Sequence, residues 1–221
     1  MLTRAWAFAL VLLSGRTGWA QHDAPTTKEP GPLPRTHDGF YASFQVGPSY
    51  LMASSEPQRS SSDPDPGSRE FSGPSLSLRV AIGGTIKNRV VVGALLGFEP
   101  VLSLTAKDES GEDFDTYGAK FVLRQQGALI DYYFLPRGGF HLLGSLGLAQ
   151  LAVTRTEADD DGDSPSGTYW MLGFGHEWWM ADEATLGVLA TVTNGTLDVQ
   201  ERNRVDVDLF SFGLALTATI N

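Results

Sequence analysis

The chain has 221 residues, contains no cysteine and carries 16 basic against 26 acidic side chains, a net charge of −10. This acidic balance argues against a nucleic-acid partner, because the two would repel each other. Without disulfides, an exported chain must be stabilised by core packing or by a sheet that closes on itself and leaves no edge strand.

The first 20 residues predict a secretory signal peptide. Arg4 precedes the apolar run 5–13, and Gly18-Trp19-Ala20 suits a small-residue cleavage site. The run is too short for a membrane anchor, since a spanning helix needs roughly 20 apolar residues. Removing Arg4 and Arg16 with the signal leaves 14 basic and 26 acidic residues, a net charge of −12.

Residues 21–38 predict an extended lead-in on the periplasmic side. Four prolines stand among Thr, Lys and Glu, and hydrophobic periodicity is absent. Near-uniform alternation begins at Gly39 and continues to the end of the chain. The expected organisation is a signal peptide at 1–20, a disordered lead-in at 21–38 and one β-domain at 39–221.

Eight segments after residue 38 alternate apolar and polar residues with a period of two, which predicts β-strands. In the first segment, Phe40 and Phe44 have one parity, while Ser43 and Gln45 have the other. The last segment repeats the pattern with Phe210 against Ser211. Each strand is therefore expected to have one apolar and one polar face.

Two segments fit the alternation less well. In the fourth, Lys120 and Arg124 share the apolar parity, so either they lie above a membrane or a β-bulge shifts the register. In the sixth, His176 has the apolar parity. The opposite choice would place the carboxylate of Glu177 in lipid, which costs more.

The connections alternate between short and long. Tight turns of about five residues are expected at 84–88, 135–139 and 180–184. Longer, acidic connections are expected at 53–74, 105–116, 156–166 and 194–204, with Asn194-Gly195 in the last interpreted as a turn. This alternation predicts an all-β fold, an eight-stranded antiparallel up-and-down transmembrane β-barrel with short periplasmic turns and four external loops.

Aromatic residues support the same orientation. Phe40, Phe134, Phe140 and Trp178 have the apolar parity and lie at the short-turn ends of their strands. An aromatic girdle at the membrane interface is expected there.

Three phrases resemble the small outer-membrane β-barrel proteins of Gram-negative bacteria, the OmpA/OmpX-like eight-stranded barrels. They are Gly39-Phe-Tyr-Ala-Ser-Phe-Gln-Val-Gly-Pro, Gly127-Ala-Leu-Ile-Asp-Tyr-Tyr-Phe-Leu-Pro and Gly173-Phe-Gly-His-Glu-Trp-Trp. The resemblance covers residues 39–221. It implies export to the outer membrane, contact with outer-membrane lipid and lipopolysaccharide, and insertion by the assembly machinery.

The polar parity contains a set of charged residues: Arg79, Glu99, Asp131, His141 and Glu177. Eight strands enclose a space just wide enough to be filled by side chains, so an open channel is not expected. In a low-dielectric lumen these charges should pair with one another and with Tyr41, Gln45 and Tyr133. The predicted network is structural.

No catalytic, metal or cofactor motif stands out. His141 and Ser145 are four residues apart on one strand, roughly 13 Å, which is too far for a nucleophile and its base. Asp159, Asp161 and Asp163 are weak calcium candidates, but the closing Glu of an EF-hand is missing. We therefore predict no enzyme and no cofactor.

The predicted function is that of an integral outer-membrane protein with a structural or surface-interaction role. One alternative is a soluble, secreted lipocalin-like barrel that binds a small apolar ligand, in which the apolar faces would point inward. A second is a lipid-modifying barrel enzyme, which would need Ser, His and an acid to meet across strands.

Overall fold

The computed structural model describes residues 37, 39–57, 68–108, 110–113, 119–135, 139–154, 164–199 and 205–220. The predicted signal peptide, all of the lead-in except His37, and the calcium candidates Asp159, Asp161 and Asp163 lie outside these ranges. The described residues contain no helix long and apolar enough to cross a membrane.

The described ranges form nine strands. They are β1 Gly39–Pro57, β2 Arg69–Ile86, β3 Val90–Pro100, β4 Thr105–Lys107, β5 Lys120–Tyr133, β6 Phe140–Thr154, β7 Ser166–Trp179, β8 Ala184–Val199 and β9 Val205–Ile220.

Eight of these strands close into a barrel. Neighbours pair antiparallel in the order β1-β9-β8-β7-β6-β5-β3-β2, and β2 pairs with β1 to complete the ring. The three-residue β4 belongs to the second long connection and pairs with the loop end of β2, from Glu70 with Lys107 to Ser72 with Thr105. The predicted eight-stranded antiparallel up-and-down barrel is confirmed.

The register of β5 shows whether a β-bulge accounts for the apolar parity of Lys120 and Arg124. Pairing with β6 runs from Lys120 with Thr154 to Tyr133 with His141 without a skipped residue. Pairing with β3 is equally continuous. No bulge is present in this strand, and both Lys120 and Arg124 point outward at its loop end.

The faces follow the alternation of the sequence. Apolar side chains on the outward parity are exposed, with Leu146 at 66%, Leu216 at 65% and Ile130 at 54%. Polar residues on the inward parity are buried. The lipocalin-like alternative is therefore wrong, because it requires the apolar face to point inward.

The turn between β2 and β3 is tighter than expected. Ile86 pairs with Val90, so the strands reach further than the predicted turn at 84–88. Lys87 and Asn88 have φ of 53° and 58°. Two successive left-handed residues give a turn whose twist matches that of the flanking strands.

The last long connection is also shorter than predicted. β8 continues to Val199, and Asn194 pairs with Trp170 on one side and with Phe210 on the other. The interpretation of Asn194-Gly195 as a turn was wrong. Hydrogen-bond ladders to both neighbouring strands outweigh the local preference of an Asn-Gly pair.

Glycines allow the backbones of β2 and β3 to approach closely. Gly83 pairs with Gly93 across the two strands. A Cβ atom added at Gly93 would collide with the carbonyl oxygen of Ile82 and lie 2.7 Å from the Cα of Gly83. Because the obstacles are backbone atoms, a side chain here cannot be accommodated by a change of rotamer.

We predict that Gly93→Ala destabilises the folded barrel by about 1–3 kcal/mol, the usual cost of overpacking. Gly144→Ala is the matched control, since its Cβ would meet only ordinary contacts, the nearest being Ile130 Cγ2 at 3.5 Å. The measurement is the urea midpoint of tryptophan fluorescence in detergent micelles. Equal midpoints for the two variants would contradict the close-approach argument.

Candidate functional site

A carboxylate is held at the turn end of the barrel interior by hydroxyl groups from three strands. Glu177 on β7 accepts hydrogen bonds from Thr185 of β8 at 2.7 Å and Tyr133 of β5 at 3.2 Å through Oε2. Thr219 of β9 donates to its Oε1 at 2.8 Å. The inward parity of each strand directs these side chains to one point. Glu177 is 3% exposed, so these bonds replace the water it has lost.

A buried histidine–carboxylate pair lies beside Glu177. The ring nitrogen Nδ1 of His141 lies 2.8 and 2.9 Å from the two carboxylate oxygens of Asp131, on the neighbouring strand. The Tyr133 ring stacks on the His141 ring at a centroid distance of 5.1 Å. The other ring nitrogen, Nε2, has no hydrogen-bond partner among the described residues.

A third group lies nearer the middle of the barrel. Glu99 Oε1 accepts hydrogen bonds from Ser75 and Ser211, each at 2.8 Å. Arg79 approaches Glu99 Oε2 at 3.8 Å and donates to Thr191 Oγ1 at 3.4 Å. The guanidinium and carboxylate are both buried, so each reduces the cost of burying the other.

The five predicted lumen residues thus lie inside the barrel, but they divide into two clusters. Asp131, His141 and Glu177 form the turn-end cluster, while Arg79 and Glu99 form the mid-barrel cluster. Tyr133 joins the turn-end cluster through Glu177. Gln45 is buried, and its side-chain oxygen Oε1 has no hydrogen-bond partner among the described residues.

Apolar residues also occupy the interior, which sequence reasoning missed. Leu129 and Leu143 take the next inward positions after Asp131 and His141 toward the loop end, and both are almost fully buried. Beyond the mid-barrel cluster, the inward residues are apolar again, namely Leu51, Phe121, Leu151, Leu197 and Leu209. The sequence did indicate these positions, because each of these residues is apolar at a position whose parity is otherwise polar in its strand.

A buried side chain from outside the strands also reaches the turn end of the lumen. His37 is fully buried and stacks on the Tyr133 ring at a centroid distance of 3.6 Å. The Trp179 ring lies 4.8 Å away. His37 therefore extends a stack of rings, His37, Tyr133 and His141, into the turn end of the lumen. A single histidine beside a Pro-rich segment carries no pattern that could have revealed this contact.

The four girdle candidates lie on the outer surface at the turn ends of their strands, with Phe40 at 62% exposed. Phe140 stacks on Phe174 at 6.0 Å. His176, a polar residue on the apolar parity, points outward. Its ring centroid lies 4.3 Å from that of Phe140 and 4.6 Å from that of Trp178. Aromatic neighbours shield the imidazole at this level.

In the second long connection, Asp108 organises the chain around itself. Its Oδ1 accepts hydrogen bonds from the Ser110 hydroxyl at 2.6 Å, the Ser110 amide at 3.0 Å and the Glu112 amide at 3.0 Å. The Ser110 hydroxyl contributes most to holding the pKa of the Asp108 carboxyl below its usual value. Within the described ranges, no three His, Cys, Asp or Glu residues are placed to hold a metal ion.

No family model matches the chain, and no curated protein does. Solved structures match. The outer membrane protein OprG from Pseudomonas aeruginosa gives a TM-score of 0.50 at 13% identity, over 85% of this chain and 99% of that chain. Neisserial surface protein A (NspA) gives a TM-score of 0.50 at 16% identity, over 82% and 96%. The chain has the fold of the small eight-stranded outer-membrane β-barrels.

At these identities the likeness establishes the fold of an outer-membrane barrel and nothing about activity. The outer membrane protease OmpT from Escherichia coli is also similar, with a TM-score of 0.44 at 10% identity over 86% of this chain and 99% of that chain. So weak a likeness carries no argument. The absence of enzymatic activity stays a prediction.

We predict that Glu177→Leu destabilises the outer-membrane barrel by about 3 kcal/mol or more, because it leaves buried hydroxyl groups without an acceptor. Glu183→Leu is the control, since Glu183 is exposed in the turn between β7 and β8. Thermal unfolding in detergent, followed by the shift between folded and unfolded bands on a gel, measures both. Equal stability of the two variants would contradict the buried-acceptor role.

We predict that His37→Ala lowers the free energy of unfolding by about 1 kcal/mol through loss of its stacking on Tyr133. The same substitution should also make Trp179 more accessible to an aqueous fluorescence quencher. The contribution of Trp179 is obtained by comparing quenching in barrels that carry Trp179 with quenching in barrels that carry Trp179→Phe. Lys87→Ala, in an exposed turn at the same end, should change neither quantity. Unchanged quenching in His37→Ala would show that His37 does not cover this end of the lumen.

Proposed function

We propose that this chain is an integral outer-membrane β-barrel with a filled lumen and a structural or surface-interaction role. The observation that carries the proposal is the inverted arrangement of side chains. Charged groups such as Glu177 and Arg79 are buried inside, while an apolar belt surrounds the outside. Only a bilayer makes such a belt favourable, because exposed apolar area is costly in water.

The belt has the height of a bilayer interior. On β9, the outward positions from Phe210 to Ile220 are all apolar. Ten residues span about 34 Å along a strand. Because the strands of such barrels tilt by roughly 40° from the barrel axis, this length corresponds to about 26 Å along the axis. The outward apolar band of outer-membrane barrels is about 25 Å tall.

The interior supports a closed lumen. Tyr41, Tyr133 and Glu177 occupy the turn end, and Leu95 and Met171 occupy levels nearer the middle, each at most 3% exposed. A barrel of eight strands has little more room than its own side chains fill. We infer that the protein does not conduct ions through a permanent aqueous pore.

The surface role is assigned to the loop ends of the strands. Outward residues there become polar and often charged, as with the acidic Glu70 on β2, Asp198 on β8 and Asp208 on β9. In the orientation typical of outer-membrane barrels, the long connections face the exterior. Outer-membrane lipid, lipopolysaccharide and the assembly machinery are the proposed partners, and export by the predicted signal peptide is part of this proposal.

Nothing in the described residues favours the lipid-modifying enzyme. His141 Nδ1 is bound to Asp131, and the Ser145 hydroxyl lies 2.9 Å from the Ala128 carbonyl and 3.0 Å from the Tyr169 hydroxyl. His176 lies on the outer surface among aromatic rings. Neither histidine therefore has the paired serine that acyl transfer would require.

The test is to express the full chain in a Gram-negative host and wash its membranes with alkaline carbonate. We expect the protein to remain in the outer membrane and to migrate as a compact folded species until heated. A chain without residues 1–20 should stay in the cytoplasm. Release of the full chain by carbonate would overturn membrane integration.

The filled lumen is tested separately by incorporating the purified barrel into planar bilayers. We expect no stable conductance steps, because the mid-barrel cluster and the apolar residues beyond it fill the lumen as well as the turn-end cluster does. Steady, uniform conductance of the unmodified barrel would contradict the filled lumen while leaving its place in the membrane intact.

A further inference from the structure

The outer face of β5 carries an amide group within the apolar belt. Gln126 has the outward parity, is exposed, and forms no side-chain hydrogen bond with the other described residues. Its partners on the neighbouring strands are Leu96 of β3 and Leu148 of β6, which are 62% and 56% exposed. Exposure at this position therefore means contact with hydrocarbon, where an unpaired amide is costly.

The height of Gln126 agrees with a position inside the belt. It is eight residues from Phe134, a girdle residue at the turn end. Eight residues span about 27 Å of strand, which corresponds to about 21 Å along the barrel axis at a tilt of roughly 40°, within an apolar band about 25 Å tall. Up to this level the outward positions of the two neighbouring strands are apolar or glycine, namely Val90, Val92, Ala94 and Leu96 on β3 and Phe140, Leu142, Gly144, Leu146 and Leu148 on β6.

Short side chains below Gln126 leave room for a close approach to this part of the wall. Ala128 is the next outward residue toward the turn end, and it pairs with Ala94 of β3. Both alanines are exposed, and the larger side chains of Ile130 and Leu146 flank Ala128. A second wall can therefore come near enough for its own side chains to reach the Gln126 amide, as small residues permit between helices in membranes.

The chemistry of the amide selects the partner. A lipid tail offers neither a donor nor an acceptor, so it cannot satisfy Gln126. A carboxamide carries two donor hydrogens and an acceptor oxygen, so two carboxamides complement each other. Two copies of Gln126 related by a twofold axis along the membrane normal can exchange two hydrogen bonds. Self-complementarity of this kind is what a twofold interface requires.

The nearest charge does not prevent such a contact. Arg124 lies two residues above Gln126, about 7 Å farther along the strand. The β5 strands of two copies cross at an angle, because each is tilted by roughly 40° from the shared membrane normal. Contact is therefore concentrated around the crossing point. The long side chain of Arg124 can extend upward from there into the headgroup layer.

We propose that the β5 wall is a contact surface between two copies of this chain in the membrane. The Gln126 amides are hydrogen-bonded to each other across the twofold axis, and Ala94 and Ala128 allow the two walls to approach. This inference rests on the proposed function, because Gln126 faces hydrocarbon only in a barrel that spans the membrane.

Strand β8 provides matched controls on another side of the barrel. Asn194 is its outward amide, and Ala190 is an outward alanine four residues nearer to the turn end. Strands β6 and β7 separate β8 from β5 in the ring. Asn194→Leu and Ala190→Leu therefore make the same chemical changes as Gln126→Leu and Ala128→Leu without altering the β5 wall.

The experiment measures association of the full-length barrel in phosphatidylcholine vesicles by energy transfer between donor-labelled and acceptor-labelled copies. The chain has no cysteine, so Lys87→Cys in an exposed turn supplies a single labelling site. We expect energy transfer to rise with the protein-to-lipid ratio. Gln126→Leu should weaken association roughly tenfold, the scale of two side-chain hydrogen bonds within a membrane. Asn194→Leu should change it less than twofold.

Two further variants test the geometry of the contact. Ala128→Leu should weaken association at least as much as Gln126→Leu, because it keeps the walls apart, whereas Ala190→Leu should leave association unchanged. Gln126→Asn, which keeps an amide, should retain more association than Gln126→Leu. Energy transfer no higher than that of randomly distributed barrels, or equal effects of the β5 and β8 variants, would overturn the proposal.

Carbonate retention and heat-dependent migration are read for every variant, so that loss of folding is distinguished from loss of association. If the unmodified chain is released by carbonate, the proposed function is wrong and the interface with it. If the chain is retained in the membrane but remains a single copy at every protein-to-lipid ratio, the interface alone is wrong.

Discussion

Closure of the backbone hydrogen-bond ladder is the constraint on which the rest of the structure depends. In hydrocarbon no water is available to an unpaired amide or carbonyl, so a sheet can cross a bilayer only without free edges. Here β1, the first strand, pairs with β2 and also with β9, the last strand, so the sheet closes on itself. The ladder between β1 and β9 is interrupted at Gly47 and Pro48, where proline has no N–H to donate. The same register resumes at Ser49, so the interruption does not open the ring.

Closure then determines what the interior must contain. Alternate residues of every strand point into a space of fixed width, so charged side chains on that parity cannot reach water and must find partners. Glu177 is satisfied by hydroxyl groups, and Glu99 by two serines and Arg79. Leucines between and above these clusters fill the remaining width. The described interior therefore combines apolar residues such as Leu129 and Leu143 on β5 and β6 with polar residues such as Ser43, Gln45 and Thr217 on β1 and β9.

The sequence allowed the faces of the strands to be predicted because alternation with a period of two is a local property. Phe210 to Ile220 could be assigned outward from the residues alone. The strand lengths could not, since Asn194-Gly195 is a turn signal that only pairing with β7 and β9 overrides. The division of the lumen charges into two clusters depends on the stagger between neighbouring strands, which local patterns do not contain. The insertion of His37 is likewise a long-range contact without a local signature.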